Sequence, residues 1–355
     1  MGDRVRIGLV GYGLGGRAFH APLITSTPDL HLVGVLTNDA GRTAQLAEDH
    51  PAVPAVGDLH DLVALGAEAV AISSTTGTHA TLAHVALDLG LHVVVDKPLA
   101  VDSASAAEIV AHAERAGRLV TAYQNRRWDS DFLTIRRLLH ERVLGDVFGF
   151  ESRFERWTPG PPRAAWRSAL TPAEGGGLRL DLVTHLADQA HVLFGPVSSV
   201  YAESAIRRDG ARAEDDVTVL LTHENGVSSH LHASSWCGDT SRRFRVLGTE
   251  GAFVIGGLDG QEHALRSGRT PAEEGDRWGI EPIESWGHVH RGDEHEVVPT
   301  ERGRWDVFYP AFAAAVRGTA PLPVDPYDAV EVLRVLDAAA LSAAEHRVVR
   351  VDEID

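Results

Sequence analysis

Two groups of residues in this sequence have types and spacings suited to chemistry. Asp181, His185 and Asp188 stand at i, i+4 and i+7. On a helix that spacing puts them on one face. An imidazole of ordinary pKa, about 6.5, both takes and returns a proton near neutral pH. A carboxylate beside it orients the ring or a substrate hydroxyl. Lys97 follows an apolar run directly, in Val93-Val94-Val95-Asp96-Lys97-Pro98. The C-terminal end of a strand in an open α/β sheet is where ligands sit, and an ammonium there stabilises negative charge developing on a substrate oxygen. Gly175-Gly176-Gly177, just before Asp181, permits a sharp turn or a close approach of backbone to ligand. Each feature also has a plain structural alternative: a helix N-cap for Asp181, a satisfied core histidine for His185, a loop lysine for Lys97.

A third group points to a cofactor. Gly11-Tyr12-Gly13-Leu14-Gly15-Gly16 follows the apolar run Val5–Val10 and opens a helical stretch. In this fingerprint the first glycine allows the turn, the second lets backbone approach a pyrophosphate, and the third lets helix and strand pack closely. Free amides at the helix start bind the anion. The alternative is a glycine-rich structural turn. The second strand ends in Leu36-Thr37-Asn38-Asp39, with Arg42 beyond. Neither Thr37 nor Asn38 is acidic, and both can hydrogen-bond a phosphate, so this end favours NADP(H) over NAD(H).

Other chemistries fit less well. Asp181, His185 and Asp188 can be drawn as metal ligands, as can His288, His290 and His295, but neither set has a compact metal signature, and no metal is expected. His230 and His232 alternate along one strand face and read as structural. No Gly-x-Ser-x-Gly nucleophile elbow is present. Cys237 is the one cysteine, which rules out an intrachain disulfide and a cysteine-rich metal site.

Strands and helices alternate in the first third. Predicted strands at Val5–Val10, Leu32–Leu36, Ala69–Ile72, Leu91–Val95 and Leu119–Ala122 are separated by helical patterns, one capped by Asp102 or Ser103 and stopped at Gly117. This predicts an α/β fold with a doubly wound parallel Rossmann sheet over residues 1–123. Asp129 is expected to cap a helix carrying Phe132, Ile135 and Leu138. From residue 124 to 355 strands dominate, with a hairpin signal at Glu224-Asn225-Gly226. An α+β unit with a large, mostly antiparallel open sheet is expected there. Residues 259–304 read as a long polar loop, and Trp305–Val316 and Pro326–Glu345 as closing helices.

The chain has 355 residues, with 33 Lys and Arg against 50 Asp and Glu, a net charge of −17. Such a surface repels nucleic acid. No apolar run approaches the roughly 18 to 20 residues of a membrane span, no signal-peptide core is seen, and Arg6 breaks a myristoylation motif at Gly2. The expected location is cytoplasmic.

Taken together the motifs resemble the glucose–fructose oxidoreductase / inositol dehydrogenase / rhizopine-catabolism (Gfo/Idh/MocA) family, in particular its scyllo-inositol dehydrogenase-like branch. The resemblance rests on Gly11 through Pro22, Val93 through Pro98, Asn125-Arg126-Arg127-Trp128-Asp129-Ser130-Asp131-Phe132, Asp181-x-x-x-His185-x-x-Asp188 with Leu193-Phe194-Gly195, and Leu258 through Glu262. It implies that Lys97, Asp181 and His185 are catalytic. It places Gly11, Tyr12, Gly13, Leu14, Gly16, Thr37, Asn38, Arg42, Ser74, Thr75, His79, Lys97, Pro98 and Asn125 around the dinucleotide. Trp166, Arg167 and Thr184 then line the substrate pocket. Arg153 joins them as a candidate for a carboxylate or phosphate on the substrate, as do Arg156 and Arg163, although alternating strand positions also suit plain surface charges. Four departures stand out. Asp96 replaces the glutamate of the family's Glu-Lys-Pro, Thr75-Thr76-Gly77 replaces Thr-Pro-Asn, Val183 replaces a glycine, and Thr37-Asn38 replaces the Ser-Arg pair of the NADP-using branch.

The resemblance implies reversible hydride transfer between a nicotinamide dinucleotide and a secondary alcohol of a sugar or cyclitol, by a homodimer or homotetramer. Two rivals share the fold: an NAD-dependent glycosidase, and a dinucleotide-sensing regulator without catalysis.

Overall fold

The computed structural model describes residues 4–160 and 169–354. Its described strands form two sheets. The first has six strands, all parallel: β1 (Val5–Val10), β2 (Leu30–Leu36), β3 (Ala55–Val56), β4 (Ala69–Ile72), β5 (His92–Asp96) and β6 (Val120–Tyr123). They lie in the order β3-β2-β1-β4-β5-β6. Val93, Val94 and Val95 of β5, like all of β4, are buried on both faces, which is why these strands read as unbroken apolar runs. β3 was not foreseen, because two residues carry no periodicity. The order reverses between β1 and β4, so a crevice opens at the C-terminal ends of those strands.

Helices α1 (Ala21–Thr25), α2 (Ala40–Asp49), α3 (Leu59–Ala64), α4 (His79–Asp88) and α5 (Ser103–Ala116) connect the strands. The Asp102 carboxylate caps α5 by accepting the Ser105 N–H at 2.7 Å, and Gly117 ends it at φ +61°. The cap of α6 (Ser130–His140) differs from expectation. Asp129 precedes it but spends its carboxylate on Arg126 (3.1 Å) and on the Trp305 indole N–H (2.8 Å). The Ser130 N–H is satisfied instead by Asp259, at 2.7 Å. A cap supplied from so far along the chain has no local signature.

The second sheet has nine strands: β7 (Val147–Glu155), β8 (Val197–Ala205), β9 (Asp216–His223), β10 (Ser228–Ser234), β11 (Phe244–Gly248), β12 (Gly251–Ile255), β13 (Gly287–Arg291), β14 (Glu294–Val298) and β15 (Val349–Arg350). Their order is β14-β13-β12-β11-β7-β10-β9-β8-β15. Pairing is antiparallel except for the β7–β10 pair, which is parallel. Gly226, at φ +88°, makes the β9–β10 turn. Phe150, Ser152 and Phe154 of β7 alternate inward against α7 (Thr184–Phe194). The loop expected over 259–304 instead contains regular elements, α8 (Gln261–Arg266), α9 (Pro271–Glu274) and the β13–β14 hairpin.

The last helices tie the sheets together. α11 (Pro326–Glu345) shares one core with both, as Leu333 and Leu336 join Val93 of β5 and Val219 of β9. α10 (Phe308–Val316) returns to the first sheet, where Phe308 and Phe312 pack with Ile7 and Val35. A division at 123/124 therefore separates strands more cleanly than it separates packing.

Candidate active site

The glycine loop crosses the crevice at the strand-order reversal. Gly11 has φ +90°, and a Cβ there would strike the Ser73 carbonyl. A Cβ on Gly16 would strike the Gly11 carbonyl. Gly13 is different: the nearest atoms to its Cβ position belong to the Arg42 guanidinium, at 3.8 and 3.9 Å. Two glycines thus satisfy the chain itself, and the third offers open backbone of the kind a pyrophosphate needs. Tyr12 turns away, buried with its hydroxyl donating to Asp49 at 2.9 Å. Only its backbone is left for a ligand. The Leu14 side chain is exposed.

At the end of β2, Thr37 is buried and Asn38 exposed. The Asp39 carboxylate is taken up in capping α2, accepting the Arg42 N–H at 2.9 Å. The Arg42 guanidinium has no ion-pair or hydrogen-bond partner among the described residues and lies beside Gly13. Asn38 and the Arg42 guanidinium are thus left open beside the glycine loop. The loop after β4 is held from within: the Ser74 and Thr78 hydroxyls are 2.7 Å apart, and Thr75 precedes a short helical turn. His79 is buried beneath it, its Nδ1 2.8 Å from the Pro98 carbonyl and its Nε2 3.3 Å from that of Ser74. Burial lowers its pKa. His79 joins two crevice loops and offers no free ring nitrogen to a cofactor.

Lys97 leaves β5 on the same side, and the Lys97–Pro98 peptide is cis. Its ammonium donates to Asp181 twice, to the carbonyl at 2.5 Å and to Oδ1 at 3.0 Å. Asp96 braces this corner: its carboxylate accepts the Lys97 N–H at 2.8 Å and the Ser73 hydroxyl at 3.2 Å, with His20 Nε2 at 3.5 Å. Burial alone would raise the Asp96 pKa, but His20, Lys97 and His79 outweigh it and hold the pKa at about 2. His20 is fully buried against Tyr309 and Tyr123 in the glycine-loop run.

Asp181 lies in a widened turn, in which the Thr184 N–H reaches back five residues to Arg179. Such turns recur at functional sites. His185 follows, 5% exposed, with Nδ1 buried and unpartnered among the described residues. Burial pushes its pKa well below the usual histidine range, and the charges of Lys97, Arg126, Arg243 and Arg156 push the same way. His185 is thus a neutral base near pH 7. Its ring meets Phe154 edge-on, with centroids 6.1 Å apart, and Phe154 is flanked by Arg126 and Arg243 at 4.8 and 4.0 Å.

The three helix-face residues do not act on one site. Asp188 is buried in a two-point pair with Arg127, at 2.6 and 2.9 Å, and Arg127 also holds Asp328. Its work is to fasten α7 to the turn after β6. Gln189 adds to this, donating to the Arg126 carbonyl at 2.9 Å and accepting from Arg243 at 2.9 Å. Sequence reading missed Gln189, although its i+4 spacing from His185 was available. Asn125 is buried at the start of that turn, and the Thr184 hydroxyl is buried without a partner among the described residues.

Arg153, expected at the substrate, does not face it. It follows Ser152 and precedes Phe154, both inward, and so lies on the opposite face of β7, paired with Glu151 (3.4 Å) and Glu155 (3.3 Å). Strand alternation turns it away from His185. Trp166, Arg167 and Arg163 lie outside the described residues. His232 sits between Glu155 and Asp216, at 2.6 and 3.1 Å, on the same outer face. Among the described residues no group of three or more His, Cys, Asp or Glu is arranged to hold a metal ion. No described helix is long and apolar enough to cross a membrane.

A six-stranded Rossmann sheet with a glycine crevice, joined to a large sheet that delivers an Asp/His helix to a strand-end lysine, defines a nucleotide-binding oxidoreductase. Residues 5–124 match the oxidoreductase family with an NAD-binding Rossmann fold, and residues 132–254 match the GFO/IDH/MocA C-terminal domain. The chain belongs to this family. It is 36% identical over 351 residues to the uncharacterized oxidoreductase YdgJ of Escherichia coli (strain K12), covering 98% of each chain. It is 31% identical over 355 residues to the scyllo-inositol 2-dehydrogenase (NADP(+)) IolW of Bacillus subtilis (strain 168), covering 99% of this chain and 97% of that one. The solved structure of yvaA from Bacillus subtilis superposes with a TM-score of 0.91 at 30% identity, over 98% of each chain.

Proposed function

We propose that the protein is an NADP(H)-preferring dehydrogenase acting on a secondary alcohol or ketone of a sugar or cyclitol. The observation that carries this reading is the Lys97–Asp181 contact, which sets an ammonium from the first sheet against the helix that bears a neutral, buried His185. The similarity to an NADP-dependent scyllo-inositol dehydrogenase supports the substrate class.

The dinucleotide, when bound, supplies a hydride acceptor or donor at its nicotinamide ring. This chain does the rest. Gly13 leaves room for the pyrophosphate, and Arg42, Thr37 and Asn38 meet the ribose phosphate. Lys97, held by Asp181, donates to the substrate oxygen and stabilises alkoxide character as the C–H bond breaks. His185 takes the hydroxyl proton in oxidation and returns it in reduction. Asp181 orients the ammonium. Ser74, Thr75, Pro98 and Asn125 border the nicotinamide end, and Thr184 backs His185. Positioning supplies much of the rate, since the carbon and the ring must meet in one geometry. The protein acts in the cytoplasm as a homodimer or homotetramer, with the outer face of the nine-stranded sheet as the surface for a second copy. Light scattering of the purified protein reads that assembly.

The test is the nicotinamide absorbance with NADP⁺ or NAD⁺ against inositols, aldoses and sugar phosphates. A rise with NADP⁺ and a cyclitol or sugar supports the reading. No change across the panel, with dinucleotide binding measured separately, removes it and returns the glycosidase and the sensor.

A further inference from the structure

Gly77 and Gly175 meet where the loop after β4 touches the segment leading to Asp181. A Cβ on Gly77 would lie 2.8 Å from the Glu174 carbonyl oxygen. A Cβ on Gly175 would lie 2.7 Å from Thr76 Cβ and 3.0 Å from the Gly77 nitrogen. Gly175 has φ +88°, where glycine is favoured for its own sake, but Gly77 is not among the residues of positive φ. Its backbone would accept a side chain. Only the Glu174 backbone excludes one.

The segment pressed against Gly77 is stiff. Both the Thr171 N–H and its hydroxyl donate to Glu174 Oε2 at 2.8 Å. The Gly175 and Gly176 N–H groups fold back onto Pro172 (3.0 Å) and Thr171 (2.9 Å). Beyond the turn, the Leu178 N–H donates to the Glu214 carbonyl at 3.0 Å, and the Arg179 N–H to Glu214 Oε1 at 3.1 Å. Two residues later comes Asp181, bound to Lys97. A hydrogen-bonded path therefore runs from the cofactor loop to the Asp181 turn, seated at Gly77 against the Glu174 backbone and at Gly175 against Thr76.

We infer that the Gly77–Gly175 seat sets the depth at which the Asp181–His185 turn rests over the dinucleotide crevice, which makes Gly77 a positioning residue for the transfer. This rests on the dehydrogenase reading. The departure from Thr-Pro-Asn at Thr75-Thr76-Gly77 then has a reason: in this chain the third position must be bare. A methyl group at Gly77 would force the two backbones apart by a few tenths of an ångström, and a misplacement of about 1 Å costs about 10²-fold in rate.

The experiment is Gly77→Ala in the full chain, read four ways. The expected result is an unchanged melting temperature, dinucleotide affinity (by nicotinamide fluorescence) close to wild type, kcat lower by about 10-fold or more, and faster amide exchange over residues 171–183. Wild-type kcat, or unchanged exchange over that segment, overturns the seat. So does a variant that loses dinucleotide affinity yet keeps kcat at saturation, since Gly77 would then serve only its own loop. If Gly77→Ala does not fold, Thr171→Ala loosens the same segment without adding an atom, and it must lower kcat without changing dinucleotide affinity. A wild-type protein with no turnover on any substrate would sink the dehydrogenase reading, and amide exchange would still decide the seat.

Discussion

The Lys97 ammonium and the Asp181 side chain are 3.0 Å apart, although 84 positions separate them, and their contact joins the end of β5 to the helix that carries His185. The pair is mostly buried, with 15% and 21% of the two side chains exposed. An ion pair shielded to this degree fixes geometry more than it adds stability. Replacing Lys97 should therefore damage catalysis more than folding. Lys97→Met is expected to lower kcat by about 10²-fold or more in a protein that still folds, with a fall in melting temperature limited by the partial exposure of Asp181. Turnover near wild type in a folded variant would remove Lys97 from the mechanism.

On the proposed NADP(H) reading Arg42 would carry the preference, because its guanidinium has no partner among the described residues and Asp39 is already used as a cap. A charge-assisted contact to phosphate contributes about 1.5 to 3 kcal/mol, or about 10- to 100-fold in affinity. Arg42→Ala should weaken NADP(H) by that factor and leave NAD(H) nearly unaffected. Equal losses for both dinucleotides, measured by fluorescence titration, would rule out a role at the ribose phosphate.

The buried, neutral state of His185 has a consequence for pH. Its folded pKa lies well below the unfolded value of about 6.5, so between the two the unfolded chain binds more protons. Folding stability should fall as the pH drops below about 6.5. Oxidation should persist on the acid side further than an ordinary histidine base allows. His185→Asn should lower kcat by about 10²- to 10⁴-fold and flatten the acid limb of the profile. An unchanged limb would assign the base elsewhere.

Asp96 works in the opposite sense. Its folded pKa of about 2 lies below the unfolded carboxylate value of about 3.9, a difference equivalent to about 2 to 3 kcal/mol. That stabilisation is present above pH 4 and is lost as the pH falls toward 2. In urea unfolding, Asp96→Asn should be less stable than wild type by about 2 kcal/mol at pH 7, with the gap narrowing below about pH 4. A gap constant with pH would mean that the loss is steric.

The buried Arg127–Asp188 pair predicts a structural phenotype where sequence spacing suggests a catalytic one. Removing one partner leaves a buried charge undercompensated, at a cost of about 3 kcal/mol, softened by Asp328. Asp188→Ala should lower the melting temperature markedly while substrate KM changes little. A variant of wild-type stability with impaired substrate binding would return Asp188 to the site.

Much of this protein was legible in the sequence because its signals are short-ranged. The glycine spacing at Gly11, Gly13 and Gly16, the apolar runs of β1 and β5, and the Asp102 and Gly117 ends of α5 each depend on backbone geometry within a few residues. Lys97 at a strand end and His185 four residues after Asp181 follow from the same local periodicity. What only the tertiary structure decided was partnership. Asp188 takes Arg127, Asp259 caps Ser130, Arg153 turns outward with its strand, and Glu174 closes on Gly77. Each of these depends on which surfaces pack together from distant stretches of chain. Hydrogen bonds and burial, unlike helical or strand period, leave no trace in the spacing of neighbouring residues.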